Sequence, residues 1–327
     1  MNKLFKVFSW VLGALIILLL IGFVYIQMAF PSVSPAKELS IDYTQERIER
    51  GAYLANHVTV CMDCHSARDF SLFSGPPTPG TLGRGGDRFD HSMGFPGVFY
   101  AKNITPTGIS DYTDGELFRV ITTGVTNDGR AMFPLMPYMY YGKMDPEDIY
   151  DIIAYIRSLD PIQSDIPESE ADFPVSLILK TIPKAAEPQK RPDPSDQVAY
   201  GGYLVNASGC IECHTQVDQQ GAIIQDLAFS GGRKFQFPDG SVVASSNITP
   251  DTETGIGNWT SSQFVQRFKQ YSDSSYLTKK VQPGEFNSIM PWTMYAGMKT
   301  EDLEAIYAYL QTLEPQSNRV VRFTASN

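Results

Sequence analysis

Two five-residue stretches hold most of the reactive side chains in this sequence: Cys61-Met62-Asp63-Cys64-His65 and Cys210-Ile211-Glu212-Cys213-His214. They use all four cysteines and two of the four histidines. CxxCH is the spacing of covalent c-type haem attachment. Two intervening residues set both sulfurs on one helical turn, where they can add across the two porphyrin vinyl groups. The adjacent histidine then points at the iron as proximal ligand. A thioredoxin-like pair would sit in a βαβ setting and needs no histidine after it. Zinc-binding pairs usually lie about 15–20 residues apart, whereas most of a domain separates Cys64 from Cys210. Two disulfides, the usual reading of four cysteines in an exported chain, do not explain this spacing. The expected cofactors are two covalently bound haem c groups, each with its iron.

The sixth ligands follow by elimination. Beyond the motifs only His57 and His91 remain, both in the first half. After the second motif the methionines are Met290, Met294 and Met298. Met290 sits in Ile289-Met290-Pro291-Trp292, and Leu135-Met136-Pro137-Tyr138 answers it. Proline fixes the loop and aims the thioether inward. The expected metal ligands are therefore His65 with Met136, and His214 with Met290. Met132, Met139, Met144, Met294 and Met298 read as packing residues. His57 and His91 read as surface or hydrogen-bonding residues. Arg88, Asn103, Arg233 and Asn247 lie in loops and are candidates for binding haem propionates, against the plainer reading of exposed polar groups.

The elements that must position these residues are duplicated as well. Gly51-Ala52-Tyr53-Leu54-Ala55-Asn56 recurs as Gly201-Gly202-Tyr203-Leu204-Val205-Asn206. Gly85-Gly86-Asp87-Arg88-Phe89 answers Gly231-Gly232-Arg233-Lys234-Phe235. Met136 to Met144 aligns with Met290 to Met298 without a gap. Middle helices are expected near 114–122 and 260–270. Each copy closes with an amphipathic helix, expected over 146–156 and 300–310, with acids in its first turn and a proline just beyond its end. Thr300 is expected to cap the second. Few strand-like alternations occur, so each copy reads as a small all-α domain wrapped around one haem.

Residues 7–26 are apolar apart from Ser9, long enough to span a bilayer. Lys3 and Lys6 precede them, and no Lys or Arg follows until Lys37. The positive-inside rule puts the short N-terminus in the cytoplasm. A cleaved signal peptide is the alternative, although its apolar core would span only about 7–15 residues. The expected organisation is a membrane anchor over 1–30 and a tether over 31–45. A first haem domain follows over 46–160, then a linker with seven prolines over 161–196 and a second haem domain over 197–327. The expected location is the bacterial cytoplasmic membrane, crossed once, with both haem domains on the periplasmic side.

Lys plus Arg number 26 against 36 Asp plus Glu, a net charge of −10. That balance argues against nucleic-acid binding and suits a basic partner surface. A hydrophobic share of 43% excludes a disordered chain.

The second copy resembles the cytochrome c subunits of bacterial membrane-bound alcohol and gluconate dehydrogenases. The likeness rests on Phe229-Ser230-Gly231-Gly232, Asn247-Ile248-Thr249-Pro250-Asp251, Thr254-Gly255-Ile256-Gly257-Asn258-Trp259-Thr260 and Met290-Pro291-Trp292. The first copy is similar through Asn103 to Pro106, Gly108-Ile109 and Met136-Pro137-Tyr138. The resemblance implies two tandem class I-like cytochrome c domains behind a transmembrane helix. It implies haem attachment through Cys61, Cys64, Cys210 and Cys213, and axial pairs His65–Met136 and His214–Met290. It also implies redox partner proteins, among them a dehydrogenase or oxidase complex. Six-coordinate irons leave no place for substrate, so the expected role is electron relay in a periplasmic respiratory chain rather than catalysis. The alternative is a haem enzyme with peroxidase-like activity at one labile haem.

Overall fold

The computed structural model describes residues 3–219 and 221–326. Helix α1 (Lys3–Ala29) has no buried residue. Among the described residues it alone is long and apolar enough to cross a membrane.

The first half contains α2 (Gln45–Tyr53), α3 (Cys61–Cys64), α4 (Asp114–Thr123), α5 (Tyr138–Tyr141) and α6 (Pro146–Ser158). A short α7 (Val175–Ile178) lies in the connecting segment. The second half contains α8 (Gln197–Ala207), α9 (Cys210–His214), α10 (Ser261–Lys269), α11 (Ser274–Leu277), α12 (Trp292–Tyr295) and α13 (Thr300–Leu310). The two middle helices start in the same way. Thr113 with Glu116 and Thr260 with Gln263 each form a reciprocal capping box, satisfying two orphan donors at the helix start. Asp145 caps α6 through its side chain. Thr300 does not cap α13: it is the first helical residue, and Lys299 occupies the cap position without a side-chain bond.

In each half the first helix crosses the closing helix at a glycine. A Cβ on Gly51 would stand 1.8 Å from the Asp151 carbonyl oxygen, and one on Gly201 would stand 1.9 Å from that of Ala305. Only glycine lets the backbones approach so closely.

The all-α expectation needs correction. Each half also carries a small antiparallel sheet of three strands. In the first, β2 (Gly97–Tyr100) lies between β1 (Arg88–Phe89) and β3 (Glu170–Ala171). In the second, β5 (Val242–Ala244) lies between β4 (Lys234–Gln236) and β6 (Phe323–Thr324). Strands this short leave no alternation to read. The third strand of each sheet arrives from beyond the closing helix, so its pairing is non-local.

The proline-rich segment after α6 is strapped to the first half. Asn103 Nδ2 donates to the Ile162 carbonyl at 2.7 Å, Arg191 N donates to Asp145 Oδ2 at 2.9 Å, and Leu179 is buried.

Buried side chains of both halves, such as Leu54, Met62 and Ile153 with Leu204, Met298 and Leu303, belong to one apolar cluster. Reciprocal hydrogen bonds frame it. Tyr203 Oη donates to Asp148 Oδ2 (2.6 Å) and accepts from Asp145 N (3.1 Å). At the matching place Tyr53 Oη donates to Asp302 Oδ2 and accepts from Lys299 N (3.0 Å). Asn206 Nδ2 donates to the Tyr140 carbonyl (2.9 Å), and His57 Nδ1 donates to that of Met294 (2.8 Å). Each contact has its counterpart with the halves exchanged, as in a two-fold dimer fused into one chain.

Candidate haem sites

Both CxxCH helices are entered through a left-handed residue, Val60 with φ 45° and Gly209 with φ 60°. Valine is strained there and glycine is not. The first half has one residue more than the second between its tyrosine (Tyr53 or Tyr203) and its first motif cysteine. A π-helical turn over Leu54–Val58 absorbs it. Two buried tyrosines then pin the approach from below. Tyr141 Oη donates to the Thr59 carbonyl, and Tyr295 Oη donates to that of Ser208, both at 3.0 Å.

The motif histidines are oriented alike. His65 Nδ1 lies 2.7 Å from the Lys102 carbonyl oxygen, and His214 Nδ1 lies 2.7 Å from that of Ser246. A carbonyl only accepts, so Nδ1 holds the proton in each ring and Nε2 keeps its lone pair. That tautomer suits a metal ligand, and the carbonyl bond also fixes the ring plane. Burial holds both imidazoles below their ordinary value of 6.5, which keeps them neutral. The loops supplying the carbonyls return past Gly85 and Gly231, whose N–H groups bond the His65 and His214 carbonyls at 2.8 and 2.7 Å. These glycines have φ of 74° and 72°. A Cβ on either would come within 2.5 Å of the facing backbone.

Burial pushes the thiols up from 9.0, to about 12 for Cys64 and Cys210 and about 11 for Cys213, and in the same direction for Cys61. Protonated thiols are poor redox nucleophiles and poor zinc ligands. Among the described residues no group of three or more Cys, His, Asp or Glu is placed to hold a metal ion. The field of Asp63, from the first motif, is felt at Cys213 and at Tyr295. Across the interface between the halves, Tyr140 Oη of the first donates to Glu212 Oε1 in the second motif at 2.6 Å.

In the second half, Cys210, His214 and Met290 line one cavity of about 510 Å³. That size is ordinary for a cofactor site, where about 300–1,000 Å³ is usual. Its walls include Ile248, Phe264 and Leu310, while Arg267, Arg319 and Arg322 also line it. Met290, part-exposed, and Met298, 1% exposed, both face it. In the first half Met136 is likewise part-buried against the common core, while Met144 is buried and Met139 exposed.

His57 is committed to the Met294 carbonyl, and His91 pairs with Asp172 at 2.7 Å in an exposed loop. Asn103 and Asn247 are loop staples. Each Oδ1 accepts from the backbone and hydroxyl of the threonine two residues on, and each Nδ2 donates to the segment after the closing helix. Arg88 pairs with Asp90, and Arg233 donates to the Glu212 carbonyl. Sequence reasoning missed the carbonyls of Lys102 and Ser246, because backbone acceptors leave no trace in residue type. The repeated Gly-Gly pairs were their only signal.

Residues 198–314 match the cytochrome c family. That stretch is a cytochrome c domain. A cytochrome c domain carries covalently bound haem c, and the cavity, the neutral histidine and the paired thiols of the second half fit that group. Beyond the domain, the chain is 27% identical over 297 residues to the gluconate 2-dehydrogenase cytochrome c subunit of Pantoea cypripedii, covering 85% of this chain and 62% of that protein. It is 30% identical over 235 residues to the fructose dehydrogenase cytochrome subunit of Gluconobacter japonicus, covering 68% of this chain and 44% of that protein. A diheme cytochrome c-type protein of Cereibacter sphaeroides is 27% identical over 264 residues, covering 77% and 81%. The chain therefore spans less than two thirds of either dehydrogenase subunit.

Proposed function

We propose that the chain is a membrane-anchored dihaem cytochrome c that relays electrons outside the cytoplasmic membrane. Residues 46–160 and 197–327 would each form a haem domain. Cys61, Cys64, His65 and Met136 would hold the first haem, and Cys210, Cys213, His214 and Met290 the second. When bound, each haem supplies a one-electron iron couple. The chain's own part is to attach, orient and screen. The Lys102 and Ser246 carbonyls hold the histidine rings, the Met-Pro loops present the thioethers, and the apolar walls exclude water.

The observation that carries this reading is the shared cavity of Cys210, His214 and Met290, together with the identical histidine geometry in the first half. The contact of Tyr140 in the first half with Glu212 in the second motif supports transfer between the haems within one chain. The dehydrogenase subunits among its relatives support a catalytic dehydrogenase as electron donor. Helix α1 supports anchorage, with the haem domains on the periplasmic side.

Visible spectra of the mature protein, oxidised and reduced, with and without carbon monoxide, test the relay. Two low-spin haems with methionine–iron charge-transfer bands and no carbon monoxide adduct are expected. A stoichiometric adduct at one reduced haem would replace the relay with a catalytic site.

A further inference from the structure

The loop after the first CxxCH motif reaches across the molecule to the methionine loop of the second half. Phe73 stacks on Tyr271, with ring centroids 5.6 Å apart and an interplanar angle of 19°. Phe73 N donates to the Lys279 carbonyl (2.8 Å), and Val281 N donates to that of Ser71 (2.9 Å). Asn287 completes the joint: its Oδ1 accepts from Ser74 N at 2.9 Å, and its Nδ2 donates to the Phe70 carbonyl at 3.0 Å.

These contacts bury Ser74 to 2% exposure and hold it at φ 68°. A non-glycine residue persists there only where its surroundings over-determine it. The Ser74 hydroxyl donates to the Met290 carbonyl at 2.5 Å and accepts from Trp292 N at 3.0 Å. It therefore bridges the two peptide groups on either side of Pro291, which has no N–H of its own to brace the turn. The first half's loop lacks this brace. Tyr138 N donates to the Met136 carbonyl at 2.8 Å, as Trp292 N does to that of Met290 at 2.7 Å. Among the described residues no side chain of the second half bonds the Met136 carbonyl or Tyr138 N.

We propose that Ser74 is a positioning residue for the second haem: the first half sets the methionine loop of the second through this hydroxyl, and no reciprocal brace exists among the described residues. The inference rests on Met290 being the distal ligand. A braced loop holds the thioether on the iron against competing ligands, so the second haem is expected to resist ligand exchange more than the first.

The test is imidazole titration of the oxidised holoprotein, followed by loss of the methionine–iron charge-transfer band. Met290→His makes the second haem bis-histidine and removes its phase from the titration, which assigns that phase. Ser74→Gly keeps the left-handed backbone without strain and removes the side chain that carries the hydroxyl. It is expected to tighten imidazole binding at the second haem roughly tenfold, the scale of a lost buried hydrogen-bond pair, and to leave the first haem unchanged. Asn287→Ala frees Ser74 N while keeping the hydroxyl, and should give a smaller shift at the same haem. It also answers the question if Ser74→Gly fails to mature. No selective shift in either variant, or an equal shift at both haems, overturns the proposal. If Met290→His removes no phase, the ligand assignment itself is wrong.

Discussion

Arg267, Arg319 and Arg322 line the cavity of the second half, whereas the residues at the same repeat positions in the first half are Val120, Asp165 and Glu168. The alignment is structural as well as sequential. Arg267 and Val120 each lie seven residues past a capping-box threonine. The two straps also dock alike, Asn103 to the Ile162 carbonyl and Asn247 to that of Gln316. The second strap thus carries arginines where the first carries acids, of which Glu168 is paired with Lys102 and Arg130. Positive charge near a redox centre favours the electron-rich state. The second haem is therefore expected to hold an electron more tightly, with flow from the first half to the second. The overall charge of −10 concealed this, because a net charge does not show where three of the 26 basic residues gather.

The largest expected effect breaks the symmetry of the interface. Asp148 is fully buried and shared among Arg50, Arg191 and Tyr203. Asp302 is 5% exposed and bonded by Tyr53, and no Lys or Arg pairs with it among the described residues. Tyr53→Phe should cost about 1–3 kcal/mol, the price of a buried acceptor left short of a partner, and Tyr203→Phe should cost less. Thermal unfolding of the holoprotein measures both. Equal losses would mean that the arginines around Asp148 do not compensate.

A smaller effect sharpens the electrostatic contrast. Arg319→Asp combined with Arg322→Glu gives the second strap the charges of the first. A redox titration should show the second haem's potential falling by roughly tens of millivolts, less at high salt, with the first unmoved. An unchanged potential would show that solvent screens the strap completely.

The smallest effect concerns the extra residue of the first half. His57 makes to the Met294 carbonyl the bond that Asn206 makes to that of Tyr140, and burial holds its imidazole below the ordinary 6.5. The folded protein keeps it neutral while the unfolded chain protonates it, so the unfolded state binds more protons as the pH falls below 6.5. Its contribution is intact above that value and is lost as the pH drops through the folded value. His57→Asn should flatten the acid side of the stability–pH curve and leave stability near pH 8 almost unchanged. A parallel shift at all pH values would mean that packing, not protonation, distinguishes the two residues.

Much of this molecule was legible from its sequence because its signals are local. CxxCH sets two sulfurs and a histidine within one turn, the middle helices expected near 114–122 and 260–270 correspond to α4 and α10, and the repeat relates Met290 to Met136. The sheets were not legible, since β3 and β6 are two-residue pairings made across long sequence separations. The reciprocal Tyr53 and Tyr203 contacts and the Ser74 bridge were hidden for the same reason. Each is a common polar residue whose partner lies in the other half of the chain. The segment 161–196 read as a linker from its prolines, which report stiffness but not where a stiff segment docks.

The central claim is that both halves carry the same covalent cofactor. Intact-mass measurement of the mature protein tests it most directly, alongside a Cys210→Ala, Cys213→Ala variant. The expected wild-type mass exceeds that of the polypeptide by two haem groups, and the variant's by one. A wild-type excess of one haem would contradict the account and leave the first half a cytochrome fold in sequence only.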